Sequence, residues 1–211
     1  MKKTKRKYPS YKYIKAHSLL KGLSDEYQLT EEEYGLLYEF FVTYSLCNGQ
    51  SAKRRKFADY GWEKSITKSG LKTELKKILE LDKNPNFVFL DDKDNTSKKV
   101  ALKFKSVGLE DGAKFDFDYE HGVIGRTGAD NHYSKLFYRI RDGLAHGKYI
   151  LKMSSTNERM FVVQDDGNSS VSARIIIKLD TLLCIIKTID KNGILKFNSE
   201  KMEGKCYGNT N

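Results

Sequence analysis

A predicted amphipathic helix, from about residue 129 to residue 146, ends in the stretch LFYRIRDGLAHG at residues 136–147. Asp142 and His146 are four residues apart, so on a helix they lie on the same face. His146 falls in the last turn, where the helix dipole favours a protonated imidazole. Gly147 follows, and glycine is the residue that most often closes a helix in the left-handed conformation. Arg141 lies on a neighbouring face, but its long side chain can reach the same patch.

These residue types suit a specific chemistry. A histidine that transfers protons, beside an arginine that binds anionic charge, is what metal-free cleavage of a phosphodiester needs. The alternative is structural: a histidine and a glycine at a helix end are ordinary capping chemistry, and an arginine there is often only a solvated charge. The stretch alone leaves both interpretations open.

The composition favours a polyanionic partner. The 211 residues carry a net charge of +10, and the calculated pI is about 9.3, which biases the protein toward nucleic acids. There is no apolar run near the length of a membrane span, and the basic N-terminus leads into no apolar signal core. Three scattered cysteines are most simply reduced thiols. We therefore expect a cytoplasmic protein without a membrane partner.

Apolar spacing predicts about five helices, at residues 11–23, 30–47, 65–81, 129–146 and 172–190. Alternating patterns predict short strands at 86–91, 99–107 and 114–119, and a second hairpin at 148–153 and 160–163. Glycines 122, 125 and 128 predict a loop. Within the helix predicted at 172–190, the run 174–177 is an alternative start of a strand. The expected fold is mainly α, a bundle with small β-hairpin additions. It would form a single domain at residues 11–193, between a basic tail at 1–10 and a C-terminal tail at 194–211.

The helix end and the later apolar segment together resemble the HEPN superfamily. The signature of that superfamily is an arginine, a polar residue, a short spacer and a histidine. Here these are Arg141, Asp142, residues 143–145 and His146. Residues 171–183 are similar to the last core helix of plasmid-borne and defence-borne members. Position 142 departs from the pattern, since asparagine is the commoner residue there, and the aspartate adds negative charge near a phosphate.

The resemblance implies a HEPN-like helical bundle that acts as a homodimer with a composite active site. It implies a metal-independent endoribonuclease of toxin–antitoxin or anti-phage (abortive infection) defence, with an antitoxin or other defence protein as a candidate partner. A 2′-hydroxyl would attack the adjacent phosphorus and leave a 2′,3′-cyclic phosphate. His146 would act as general base or acid, Arg141 would hold the scissile phosphate, and Asp142 would orient the imidazole. No metal or other cofactor is required.

Further residues are candidates for binding the RNA: Lys53, Arg54, Arg55, Lys56, Tyr138, Arg139 and Lys148. The first four precede aromatic residues that can stack on bases, although a solvated loop with core aromatics fits as well. Tyr138 is as readily explained as a packed core residue. The main alternative function is a catalytically silent dimeric module that binds RNA or protein, and a purely regulatory protein would bind no RNA at moderate salt.

Overall fold

A five-stranded mixed sheet lies at the centre of the protein. The computed structural model describes residues 23–46, 55–63, 66, 70–91, 93–94, 96–127, 129, 131–167 and 170–195. The strands are β1 (Phe87–Phe89), β2 (His121–Ile124), β3 (Tyr149–Met153), β4 (Arg159–Gly167) and β5 (Ser170–Lys178). Their order across the sheet is β1-β2-β5-β4-β3. β1 and β2 are parallel, and the other neighbouring strands are antiparallel.

Helices cover both faces of this sheet. They are α1 (Glu31–Leu37), which continues as a π-helical segment (Tyr38–Thr43), then α2 (Leu71–Ile78), α3 (Ser97–Lys105), α4 (His132–Ala145) and α5 (Leu179–Ile189). The larger core joins α1, the π-helical segment, α2, α4 and α5 to sheet residues such as Phe161, Ile175 and Ile177. The smaller core joins α3 to the alternate sheet residues, among them Val162 and Ile176. The sheet is therefore buried on both sides.

This α/β architecture corrects the expected mainly α, HEPN-like bundle. The largest error concerns residues 172–190, which we predicted as one helix. The chain forms strand β5 as far as Lys178, and only Leu179–Ile189 is helical. Because β5 is central and buried on both faces, its apolar residues do not alternate with polar ones, and their period cannot separate a strand from a helix.

Three other elements also differ from prediction. The structure has no strand at residues 114–119, where a short one was expected. Residues 99–107 were expected to form a strand, but most of them belong to α3, where the Thr96 side chain caps the helix by accepting a hydrogen bond from Lys99 N. Gly122 was expected in a loop and lies within β2. A Cβ atom there would lie 3.0 Å from the carbonyl oxygen of Arg174 on the neighbouring strand. This glycine thus serves a close approach of two strands and not a turn.

Several predicted elements are confirmed. β1 lies within 86–91, and β3 and β4 form the predicted hairpin region. The helix predicted from residue 30 begins with a capping box, in which Glu33 N donates to Thr30 Oγ1 at 3.2 Å and Thr30 N donates to the Glu33 carboxylate. The predicted helix at 11–23 and the tail at 1–10 lie outside the described residues, as does the C-terminal tail beyond residue 195.

The edge strand β3 is partly covered by the segment Asp25–Glu26. Glu26 N donates to Leu151 O at 2.7 Å, and Leu151 N donates to an Asp25 carboxylate oxygen at 2.8 Å. Met153 N donates to the Glu26 carboxylate at 2.8 Å. Backbone groups that would otherwise be unpaired at a sheet edge are satisfied by these contacts.

Cys184 in α5 is disulfide-bonded, which corrects the expectation of a reduced thiol at this position. Within the described residues, no helix combines the length and the apolar character needed to cross a bilayer.

Candidate active site at the end of α4

The helix that carries the motif is defined at both ends by local sequence. At its start, the Asn131 side chain accepts a hydrogen bond from Ser134 N at 2.9 Å. Its apolar face is buried in the larger core. At its end, Gly147 has a φ of +64°, and Lys148 N donates to Gly143 O at 2.8 Å. This is the hydrogen-bond pattern of a Schellman ending, which turns the chain directly into β3.

His146 is the residue at which α4 ends, and its side chain is exposed. The backbone N–H of His146 donates to Asp142 O at 3.2 Å. Among the described residues, its imidazole has no hydrogen-bond or ion-pair partner. Both ring nitrogens are therefore accessible for a hydrogen bond to a substrate.

Arg141 and Asp142 form an ion pair with each other at 2.5 Å, between Nη1 and Oδ1. Both side chains are largely buried, with 17% and 15% of their surface exposed. Burial raises the pKa of the Asp142 carboxyl; the hydrogen bond from Arg141 opposes this, and the nearby charge of Asp165 adds to it. Arg141 Nε is buried without a hydrogen-bond partner. The expected role of Asp142, to orient His146, differs from this geometry, because its recorded side-chain hydrogen bond is with Arg141.

Gly143, in the spacer of the motif, lies against β4. A Cβ atom at this position would lie 2.0 Å from Val163 Cγ2 and 3.2 Å from Gln164 O. Only a glycine allows this approach of helix and sheet. The spacer therefore fixes the height of Arg141 and His146 above the sheet, a role that sequence reasoning missed.

The other predicted RNA-binding residues are not brought together. Arg139 is 8% exposed and binds Asp165 at 2.5 Å and Ser172 Oγ at 3.0 Å, so its guanidinium is used inside the fold. Tyr138 is half-buried against the larger core. Lys148, two residues after His146, is partly exposed and pairs with Asp166 at 2.8 Å. It is the predicted RNA contact that remains next to the motif.

Of the basic residues at 53–56, the structure describes Arg55 and Lys56. Arg55 places its guanidinium 3.8 Å from the centre of the Tyr44 ring, which follows the π-helical segment. Lys56 is exposed. Lys53 and Arg54 lie outside the described residues.

One residue near the site was missed by sequence reasoning because it is distant in the chain. The Tyr38 hydroxyl donates to Leu144 O at 2.9 Å, so the π-helical segment supports the last turn of α4. Burial is the main cause that raises the pKa of Tyr38 to about 12, and the phenol therefore stays a donor at neutral pH. No pattern in the motif itself points to this partner.

No protein-family model, curated protein or solved structure matches this chain. The HEPN resemblance therefore depends on the motif residues and on the helix end that presents them. Within the described residues, no group of three or more histidine, cysteine or acidic side chains is arranged to hold a metal ion.

Proposed function

We propose that this protein is a metal-independent endoribonuclease whose site is the end of α4. The observation that carries the proposal is the exposed, unbonded imidazole of His146, held five residues after Arg141 by a Schellman ending. This ending fixes the backbone at His146, and Arg141 lies in the preceding turn of the same helix. The net charge of +10 favours the approach of RNA.

In this mechanism the 2′-hydroxyl of the substrate attacks the adjacent phosphorus, and the bond to the 5′-oxygen of the next nucleotide breaks. His146 takes the hydroxyl proton or delivers a proton to the leaving oxygen. Arg141 stabilises the charge that builds on the phosphate oxygens. For that role, the Arg141 guanidinium must release its hydrogen bond to the Asp142 carboxylate and donate it to a phosphate oxygen. The products are a 2′,3′-cyclic phosphate and a 5′-hydroxyl.

We further propose that two copies act together in defence or toxin–antitoxin biology, and that each composite site is built from the motifs of both copies. A composite site would supply the imidazole and the guanidinium from different copies. This arrangement would leave the Arg141–Asp142 pair of each copy intact until RNA binds. We still propose the cytoplasm as the location, although a disulfide such as that of Cys184 is unusual there.

The test uses purified protein and RNA in excess EDTA, with analysis of the product ends. We expect His146→Ala to lower the cleavage rate by roughly 10²- to 10⁴-fold, the usual contribution of general acid–base catalysis. Arg141→Ala should also abolish most cleavage. Lys135→Ala is the matched control, because it removes a positive charge near the other end of α4. Equal rates for the His146 and Lys135 variants would contradict the proposal.

A second candidate function is an RNA-binding module that does not cut. The observation that favours it is the Arg141–Asp142 ion pair, which occupies one guanidinium nitrogen with a carboxylate. This candidate predicts RNA binding by the native protein with no cyclic-phosphate products, and no change in RNA ends when His146 is replaced.

A further inference from the structure

A groove of about 370 Å³ lies between the segment that leads into α1 and the edge strand β3. Its wall includes Asp25, Gln28, Glu31, Tyr34, Tyr149 and Leu151. This volume falls in the range of roughly 300–1,000 Å³ that is usual for sites of small ligands.

The chain sequence and a series of contacts connect this groove to the end of α4. Tyr149, in its wall, follows His146 by three residues. Tyr34, also in its wall, stacks on Tyr38 with ring centres 4.5 Å apart. Tyr38 in turn donates its hydroxyl proton to Leu144 O, in the last turn of α4. A ligand in the groove would thus lie beside the helix end that carries His146.

The groove presents aromatic rings that are held in place from behind. Tyr34 is 44% exposed, although it is a large aromatic residue. Its ring is inclined 29° to that of Tyr38, in a stacked arrangement. Tyr149 stacks on Phe161 with ring centres 5.2 Å apart. Rings fixed in this way lose little conformational freedom when a flat ligand stacks on them.

The charges around the groove exclude a phosphate as its occupant. Asp25 already accepts a hydrogen bond from Leu151 N, and Glu31 at the rim is exposed and acidic. Carboxylates repel a phosphate, but they accept hydrogen bonds from the amino groups of bases. The exposed amide of Gln28 can both donate and accept. Rings with such polar groups at their edge suit a neutral, flat, hydrogen-bonding ligand.

We propose that this groove binds one unpaired nucleobase of an RNA strand, stacked on Tyr34. This inference rests on the proposed function for the identity of the polymer, and it adds a preference for single-stranded RNA. The phosphate next to the bound base would lie toward Arg141 and Lys148, away from the acidic rim. Duplex RNA, whose bases are stacked on one another, would not use the groove.

The experiment measures binding and not cleavage, in a His146→Ala background that keeps the RNA intact. A fluorescently labelled single-stranded RNA is titrated with this protein and with the same protein carrying Tyr34→Ala. We expect the Tyr34→Ala change to weaken binding roughly 5- to 150-fold, the usual effect of losing one base–aromatic stack. Tyr34→Phe should retain the affinity, because it keeps the ring. Duplex RNA of the same sequence should bind both proteins equally.

The matched control is Tyr119→Ala, which removes another exposed tyrosine, 39% exposed and outside the groove. Equal affinities of the Tyr34→Ala and Tyr119→Ala proteins for single-stranded RNA would overturn the inference. Weaker binding that depends on Tyr34, in a protein that never cleaves, would instead retain the groove and reject the ribonuclease. If cleavage requires His146 but binding does not depend on Tyr34, the ribonuclease proposal is retained and the groove proposal is rejected.

Discussion

Gly143 lies where α4 crosses β4, and the space beside its Cα is already filled by Val163 and by the backbone at Gln164. A methyl group there would force the helix away from the sheet or push Val163 out of its rotamer. Gly143 therefore controls both the packing of α4 and the position of the proposed catalytic groups. Arg141 precedes it by two residues, and His146 follows it by three.

We expect Gly143→Ala to lower the free energy of unfolding by about 1–3 kcal/mol, the usual cost of overpacking a core. Urea unfolding followed by circular dichroism measures this change. Gly35→Ala in α1 is the matched control, since no atom lies within 4 Å of a Cβ added there. That change should stabilise the protein by roughly 0.5–1 kcal/mol, because alanine favours a helix. Similar destabilisation by both substitutions would contradict the packing argument.

Arg139, a basic residue of α4, stabilises the fold through contacts inside the protein. Its guanidinium binds Asp165 and Ser172 of β4 and β5 and the carbonyl oxygen of Arg126. Arg139→Ala would leave the Asp165 carboxylate buried without its partner. We expect a loss of roughly 3–5 kcal/mol in the free energy of unfolding. The double variant Arg139→Met, Asp165→Leu should recover much of that loss, as measured by urea unfolding, and no recovery would argue against a charge effect.

Asp82 joins two elements of the larger helical layer, because it binds Lys72 and Lys76 of α2 and His132 at the start of α4. The hydrogen bond from Lys72 is the largest cause that lowers the Asp82 pKa, with further lowering by Lys76, from 3.8 to about 2. Between these two values the unfolded chain binds more protons than the folded protein. The contribution of Asp82 to stability is therefore present above pH 3.8 and is lost as the pH falls toward about 2.

We expect Asp82→Asn to lower stability at neutral pH and to flatten the dependence of stability on pH across this acid window. Urea unfolding at a series of pH values measures both effects. Glu80→Gln is the control, since its carboxylate is 45% exposed and 3.8 Å from Lys76. If the free energy of unfolding of the Asp82 variant changes with pH as steeply as that of the native protein, the ion pairs of Asp82 with α2 are not the cause of the pH dependence.

Among the helices and strands, the sequence predicts best those whose ends are set by residues close in the chain. The predicted helix at 129–146 matches α4 within three residues at its start, because Asn131 caps it and Gly147 closes it. β2 was missed, and β5 was predicted only as an alternative at residues 174–177, because the identity of both strands depends on neighbours distant in the chain. His121–Ile124 is buried along its whole length, so it offers no alternating pattern. The contact of Gly143 with β4 is equally nonlocal.

For the molecule as a whole, the proposed homodimer can be tested by mixing two inactive variants. If the composite site takes Arg141 from one copy and His146 from the other, mixing Arg141→Ala and His146→Ala proteins restores cleavage. Each mixed dimer would then hold one intact site and one doubly impaired site, and activity should reach roughly a quarter of the native value if the copies exchange freely.

Cleavage of RNA in EDTA measures this recovery, with each variant alone as a control. Equilibrium sedimentation establishes that the mixed sample contains dimers. Recovery would be absent if each copy used its own arginine and histidine. In that outcome the site is complete within one chain, and the composite arrangement is wrong.

The covering of β3 by Asp25–Glu26 also restricts how copies of the protein can meet. A second molecule cannot pair a strand with Leu151, since both outward backbone groups of that residue are already engaged. Association at this part of the edge would therefore have to use side chains. The covering also protects β3 from the open-ended pairing of strands between molecules that leads to fibres.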